Sequence, residues 1–314
     1  MKVVVHIDNA SRWCAALDNA FPAATVVTSS ASAGERQDAD YLAAWAPPTW
    51  LLTEQTQLKG IINLGAGVDA LLASPGLPEG VPIVKLRDAG MAGPMADYVL
   101  YGVLHFYRSF DRYARQQRQA RWVPQPVTGK ADWPVGVLGL GAIGRHVAQT
   151  LARAGFPVLG WSRHAKHLDG VDCHHGEEGL DAVLARAQTL VTLLPDTPET
   201  RGLLGATRLA QLPEGASLIN PGRGALIDEH ALLDALGDAQ DDAASGHLRG
   251  ALLDVFNEEP LPAKSPLWRH PRVLITPHMS APTPLDGAID QVIGYLHAFE
   301  ASETFTTVDP ATGY

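Results

Sequence analysis

The 314-residue chain has two cysteines, Cys14 and Cys173, too few and too far apart in sequence for a disulfide-stapled fold. That scarcity suits a reducing compartment, and the cytoplasm is the expected location. Positive charge is also in deficit, with 24 Lys and Arg against 34 Asp and Glu, a net charge of −10. Such a field repels phosphate backbones and anionic lipid, so neither nucleic acid nor a membrane surface is the expected partner. No apolar run reaches the roughly 18–20 residues that cross a bilayer. The opening MKVVVHID is interrupted at Asp8 and reads as a first strand, not a secretion signal. A G-x-S-x-G nucleophile elbow and a phosphate loop ending in Gly-Lys-Ser/Thr are both missing, and no solenoid-type repeat is found.

What is present is an alternation of short apolar runs with helical patterns. Strands are expected at Lys2–Ile7, Ala24–Thr28, Tyr41–Trp45, Gly60–Leu64 and Pro82–Leu86. A second series follows at Pro134–Leu138, Pro157–Trp161, Thr189–Leu194, Ser217–Asn220, Gly250–Val255 and Val273–Thr276. Runs apolar on both faces suit parallel sheets covered by helices. Two such series, at about 150 residues per domain, predict two α/β domains. Between them one long helical stretch is expected over about 94–121. Its apolar stripe is Ala96, Val99, Leu100, Val103, Leu104, Tyr107 and Phe110. The opposite side carries Arg108, Arg112, Arg115, Arg118 and Arg121, expected as a solvated or subunit-contacting face. The acidic, small-residue stretch 237–246 is expected to be an exposed connector.

The strongest local motif is VGVLGLGAIGRHVAQTLARAG. Gly139, Gly141 and Gly144 fit G-x-G-x-x-G between a strand and a helix, the order that a dinucleotide-binding turn requires. The first glycine permits the tight turn and the second lets backbone approach a pyrophosphate. The third allows close helix–strand packing. About 20 residues on, where a carboxylate would hold an NAD ribose, stand Ser162 and Arg163, with Lys166 close by. A missing acid and an available guanidinium favour a 2′-phosphate, so NADP(H) is expected over NAD(H).

Three further strand ends carry chemistry: SLINPGRGALID with Arg223, GALLDVFNEEPLP with Asp254, Glu258 and Glu259, and VLITPHMSAPT with His278. A guanidinium can hold a carboxylate through two parallel hydrogen bonds. A histidine beside a carboxylate can give a proton to a keto oxygen while hydride reaches the carbon. Together they suit reduction of a 2-keto acid. His164, His167, His174 and His175 cluster, but no helix sets a pair at i, i+4, so no metal is expected.

The glycine motif, NPGRG, DVFNEEPLP and TPHMS, in this order and spacing over essentially the whole chain, resemble the D-isomer-specific 2-hydroxyacid dehydrogenases. NLGAGVD at 63–69, RDAGMAGPMADY at 87–98, GWSR at 160–163 and DVFNEEPLPAKSPLW point to the branch that reduces glyoxylate and hydroxypyruvate. The resemblance implies two Rossmann-like domains with parallel sheets and an interdomain cleft. One is a flavodoxin-like substrate domain (1–95 with 285–314), the other a dinucleotide-binding domain (96–284). It implies that Arg223 binds the keto acid, His278 donates the proton and Glu259, not Glu258, pairs with His278. Cofactor contacts are expected from Gly139, Gly141, Ala142, Ile143, Gly144, Ser162, Arg163, Lys166, Leu194, Pro195 and Asp254, with Met95 and Ala96 near the nicotinamide. Substrate contacts are expected from Trp45 and the Gly65–Ala66–Gly67 loop beside Arg223 and His278. A homodimer through the long helix and its flanks is implied as well. The alternatives are a dehydrogenase for a bulkier keto acid such as phenylpyruvate and a non-catalytic dinucleotide sensor.

Overall fold

The computed structural model describes residues 1–237, 246–304 and 306–309. The chain divides into two compact units, Met1–Met91 with Thr283–Tyr314, and Ala92–Pro282. Each is built on a parallel sheet. In the first, β1 (Lys2–His6), β2 (Thr25–Thr28), β3 (Tyr41–Ala44), β4 (Gly60–Asn63) and β5 (Ile83–Lys85) lie in the order β2-β1-β3-β4-β5. In the second, the strands are β6 (Val135–Leu138), β7 (Val158–Ser162), β8 (Asp172–His175), β9 (Thr189–Thr192), β10 (Ser217–Asn220), β11 (Gly250–Leu253) and β12 (Val273–Ile275). Their order is β12-β11-β10-β9-β6-β7-β8.

The period-2 geometry of a strand explains why these runs are apolar throughout. In the second unit, Val137, Val191, Ile219 and Leu252 enter one buried cluster. Their sequence neighbours Leu138, Leu190, Leu218 and Leu253 enter another on the opposite face. Each such side chain contributes about 1.5–3 kcal/mol by leaving water, so both faces must be covered. The helix Ala92–Tyr107 covers the first face through Met95, Ala96, Val99, Val103 and Phe106, spaced at three and four residues.

Three expectations are corrected. The stretch 94–121 is two helices, Ala92–Tyr107 and Phe110–Arg118, separated at Ser109, whose φ of 59° ends the first. Phe110, expected inside, is 54% exposed, because the break turns the second helix off the core. Arg112 and Arg115, expected on a solvated or subunit-contacting face, are half-buried within the chain itself. Strand β8 was not expected, since DCHH is a partly exposed edge with no apolar pattern. Of the acidic connector at 237–246, residues 238–245 lie outside the described residues. Among the described residues no helix is long and apolar enough to cross a membrane.

Candidate active site

In the seven-stranded sheet β6 and β9 are neighbours, and the chain leaves them toward opposite edges. The crevice beyond the carboxyl ends of such a strand pair is where open α/β sheets bind ligands. The glycine turn fills it. Gly139 has φ 101°, which glycine adopts without penalty, and a Cβ there would lie 2.6 Å from the Leu193 carbonyl oxygen. A Cβ on Gly144 would collide with the Gly139 carbonyl. Gly141, at the N-cap of the helix Ala142–Arg153, has no atom within 4 Å of such a Cβ. Two glycines are therefore needed for packing, and the third faces open space at a helix N-terminus that favours anions. The donor set fits a dinucleotide pyrophosphate.

Strand β7 ends at buried Ser162, whose Oγ donates to His164 O at 2.8 Å. Arg163 follows, exposed, and its charge helps hold the Glu199 carboxyl below its usual value, after hydrogen bonds from Thr197 and the Glu199 backbone. Lys166 Nζ donates to Leu140 O at 2.7 Å, which brings a cation onto the glycine turn itself. The residues that close β7, Ser162 and Arg163, include no carboxylate, and the nearby Glu199 comes from another segment, after β9. Leu194 is buried beyond β9 and Pro195 is exposed. Ala142 and Ile143 open the helix. Met95 and Ala96 are buried in the helix core.

The ends of β10, β11 and β12 carry the side chains expected to react. Asn220, buried at the end of β10, accepts hydrogen bonds from Thr192 Oγ1 at 2.6 Å and from the Gly222 N–H at 3.2 Å. Its Nδ2 donates to Arg223 O at 2.9 Å, which fixes the turn that presents Arg223. Arg223 Nη1 donates to Gly222 O at 2.8 Å. Glu259 Oε1 accepts from the Phe256 N–H at 3.0 Å, and its Oε2 lies 2.7 Å from His278 Nδ1. Burial works against the charged Glu259 carboxyl. The hydrogen bonds from His278 and Phe256, with the His278 and Arg223 charges, outweigh it and hold the group below its usual value. A carboxylate on Nδ1 leaves Nε2 as the ring nitrogen that can exchange a proton.

Asp254 follows β11 directly as a buried carboxylate. It is 0% exposed. Its Oδ1 accepts from Thr276 Oγ1 at 2.5 Å and from the Met279 N–H at 2.9 Å, and its Oδ2 accepts from the Ser280 N–H at 2.9 Å. The His278 N–H donates to Asp254 O at 2.8 Å. His278 has φ 50°, a left-handed backbone that costs a non-glycine residue of order 1–3 kcal/mol and persists only where surroundings over-determine it. The Asp254 bonds do so. Since Thr276 Oγ1 gives its proton to Asp254, it accepts the 2.7 Å bond from Tyr98 OH. Burial, then the Asp254 field, raise the Tyr98 hydroxyl well above its ordinary value and keep it a donor. Asn220, Thr276 and Tyr98 were not anticipated. The first two are legible only as polar residues that close apolar strands.

In the first unit, Trp45 follows β3 and its ring lies against Gly65, where a Cβ would collide with it. Asn63 Nδ2 donates to Gly65 O at 2.9 Å and to Gly67 O at 2.8 Å and holds the Gly65–Ala66–Gly67 loop.

Residues 100–280 match the family described as D-isomer specific 2-hydroxyacid dehydrogenase, NAD binding domain. The chain is 44% identical over 312 residues to glyoxylate/hydroxypyruvate reductase A of Serratia proteamaculans, covering 98% of this chain and 97% of that one. Among solved structures it is similar to a D-isomer specific 2-hydroxyacid dehydrogenase from Xanthobacter autotrophicus in complex with NADPH and MES. That match has a TM-score of 0.88 and 42% identity over 99% of each chain. It is also similar to the NADPH-dependent glyoxylate/hydroxypyruvate reductase of Sinorhizobium meliloti in complex with NADP and sulfate. There the TM-score is 0.89 and the identity 34%, over 100% of this chain and 99% of that one.

Proposed function

The chain belongs to the D-isomer-specific 2-hydroxyacid dehydrogenases, and from that premise we propose that it reduces glyoxylate to glycolate and hydroxypyruvate to D-glycerate with NADPH. It is an NAD(P)-dependent oxidoreductase. The observation that carries the substrate reading is the 2.7 Å His278–Glu259 pair in the field of Arg223, at the carboxyl ends of neighbouring strands.

Arg223 binds the substrate carboxylate and polarises the keto oxygen. The Gly65–Ala66–Gly67 loop offers backbone N–H groups to the same carboxylate, and Trp45 gives an apolar wall. The reduced nicotinamide, when bound, supplies the hydride that adds to the keto carbon. His278 Nε2 gives its proton to the keto oxygen as that oxygen gains negative charge. Glu259 favours the charged imidazole beforehand and orients the ring. Solvent then returns a proton to Nε2. The Gly139–Gly144 turn, Ala142, Ile143, Leu194 and Pro195 hold the dinucleotide, and Ser162, Arg163 and Lys166 take the 2′-phosphate. Asp254 acts on the same reaction by fixing the histidine loop. The preference for NADPH rests on the absent carboxylate and on Arg163. Arg163→Asp is expected to move preference toward NADH.

The proposed compartment is the cytoplasm, in keeping with the free thiols Cys14 and Cys173. A homodimer is proposed through the segment after the Ala92–Tyr107 helix, where Trp122 is 96% and Val127 90% exposed. Sedimentation of a Trp122→Asp/Val127→Asp variant as a lighter species would support it.

The deciding experiment is the initial rate of NADPH oxidation with glyoxylate, hydroxypyruvate, pyruvate and phenylpyruvate, with NADH in parallel. Fast turnover of the first two with NADPH is the expected result. Faster turnover of phenylpyruvate would replace the substrate. Cofactor binding without turnover of any keto acid would replace the enzyme by a sensor.

A further inference from the structure

Asn63 closes β4, an inner strand of the five-stranded sheet, and is 1% exposed. Its backbone is fixed on both sides. The Leu64 N–H donates to Ala44 O on β3 at 2.8 Å, and the Leu86 N–H, just past β5, donates to Asn63 O at 3.3 Å. From this base Asn63 Nδ2 reaches forward to two carbonyl oxygens of the next turn, Gly65 O at 2.9 Å and Gly67 O at 2.8 Å. Both partners only accept, so the side chain must present two donor hydrogens to them. A primary amide does so, and a carboxylate or an apolar side chain does not.

These two bonds decide which way the loop faces. Its peptides are trans, and in a planar trans peptide the carbonyl and the following N–H point in opposite directions. Drawing Gly65 O and Gly67 O onto Asn63 therefore turns the Ala66 and Val68 N–H groups to the other side. Among the described residues neither of these N–H groups donates to a backbone carbonyl. Gly65 is buried against the Trp45 ring, which further limits how the loop can move. A similar arrangement recurs in the second unit, where Asn220 closes β10 and its Nδ2 donates to Arg223 O.

We propose that Asn63 is a positioning residue for the reaction, setting the affinity for the substrate carboxylate by holding the Gly65–Ala66–Gly67 loop with peptide N–H groups turned away from itself. The assignment rests on the proposed reading of that loop as a carboxylate site. Backbone N–H groups presented by a fixed turn make a concavity that binds anions, and fixing them beforehand spares the ordering cost on binding. Without the amide the two carbonyls lose their donor. Either peptide can then rotate to find water, and the rotation carries its N–H out of place. Arg223, His278 and Glu259 are untouched by that change, so a substrate once held still reacts.

The test is steady-state reduction of glyoxylate by the full-length protein at saturating NADPH, with Asn63→Ala and the nearly isosteric Asn63→Asp. At pH 8 both should raise the glyoxylate KM at least tenfold, the effect of about 1.4 kcal/mol, with kcat within about threefold of wild type and the NADPH Kd unchanged. The ratio of variant to wild-type KM then separates a hydrogen bond from packing. For Asn63→Asp it should fall as the pH is lowered from about 9 to about 6, because burial raises the pKa of the introduced carboxyl and its protonated form regains one O–H donor. For Asn63→Ala it should stay constant. An unchanged KM in both variants overturns the proposal, and so does an Asn63→Asp ratio that does not respond to pH. Loss of kcat, glyoxylate affinity and NADPH affinity together, with a lowered urea midpoint, overturns it as well, by reducing Asn63 to a residue that stabilises the fold. A wild-type protein that binds NADPH and turns over no keto acid overturns the underlying reading of the site, and the proposal with it, whatever the variants do.

Discussion

The two ends of strands β10, β11 and β12 are built on different electrostatic plans. At the carboxyl end, charge is balanced locally. Glu259 faces His278, and the Asp254 carboxylate accepts three hydrogen bonds. At the amino end, among the described residues, Arg249 holds the buried Asp111 carboxylate through two hydrogen bonds, with Arg115 beside it. The same three strands carry both, so the difference comes from the loops and not from the sheet. A proton donor needs a partner that stabilises its charged form and leaves its second nitrogen accessible.

The substitution expected to do most damage at the balanced end is His278→Ala. Loss of a positioned acid lowers turnover by roughly 10²–10⁴-fold. Cofactor affinity, measured by nucleotide titration, should change little, because the lost interaction belongs to the transition state. Near-normal turnover would break the comparison at its first term.

At the amino end the largest expected effect is on stability. Asp111→Ala leaves Arg249, itself 8% exposed, without its bidentate partner beside Arg115. Breaking a buried ion pair on one side typically costs about 3–5 kcal/mol. The shift in urea midpoint at constant slope measures it. Turnover per folded molecule should be retained, since the site lies at the other end. A midpoint within error of the wild type would mean that solvent screens the cluster and that its charge is not stored in the fold.

Much of this molecule is legible in the sequence, and the gaps have physical causes. The apolar runs at 135–138, 189–192, 217–220 and 250–253 declare a buried parallel sheet, because both faces must be apolar. The β8 edge is half in water and carries no such signal. The helix break at Ser109 is a left-handed backbone residue without a glycine or proline to mark it. Arg112 and Arg115 look like a solvent stripe on a helical projection. Arg249 and Arg272, more than a hundred residues away, line the same cavity as these two, and no local pattern can place them there. The same limit applies to Asp254. A carboxylate at a strand tip reads as a ligand contact, and its three bonds to the 276–280 loop, which depend on tertiary geometry, are not visible in the sequence.

Asp254→Asn tests that last distinction. The amide keeps one oxygen acceptor but offers an N–H where the carboxylate accepted, so at least one loop bond is lost. A positioning role predicts turnover down about tenfold with the substrate KM and the nucleotide Kd nearly unchanged. The pH profile of turnover should also change, since a displaced His278 loses its alignment with Glu259. A nucleotide Kd raised tenfold with turnover intact would instead make Asp254 a cofactor contact.

The smallest expected effect concerns the acid stability that Glu259 confers. Its carboxyl is held below its usual value by the bonds from His278 and Phe256, against the opposing effect of burial. A carboxyl with a depressed folded-state pKa binds protons more weakly in the native than in the unfolded chain. Its stabilisation is therefore fully present above the unfolded value, near 4.5, and fades as the pH falls through the lower folded value. Glu259→Gln cannot titrate and removes this contribution. Between about pH 5 and pH 3 the variant's urea midpoint should fall less steeply than that of the wild type. The difference is modest because the Glu259 side chain is 35% exposed and solvent screens its interactions. Above pH 6 the two slopes should coincide, because Glu259 is fully ionised there in both the folded and the unfolded chain. Parallel stability curves below pH 5 would show that the His278–Glu259 contact contributes no proton linkage to folding, and would leave the pair's role to orientation of the ring.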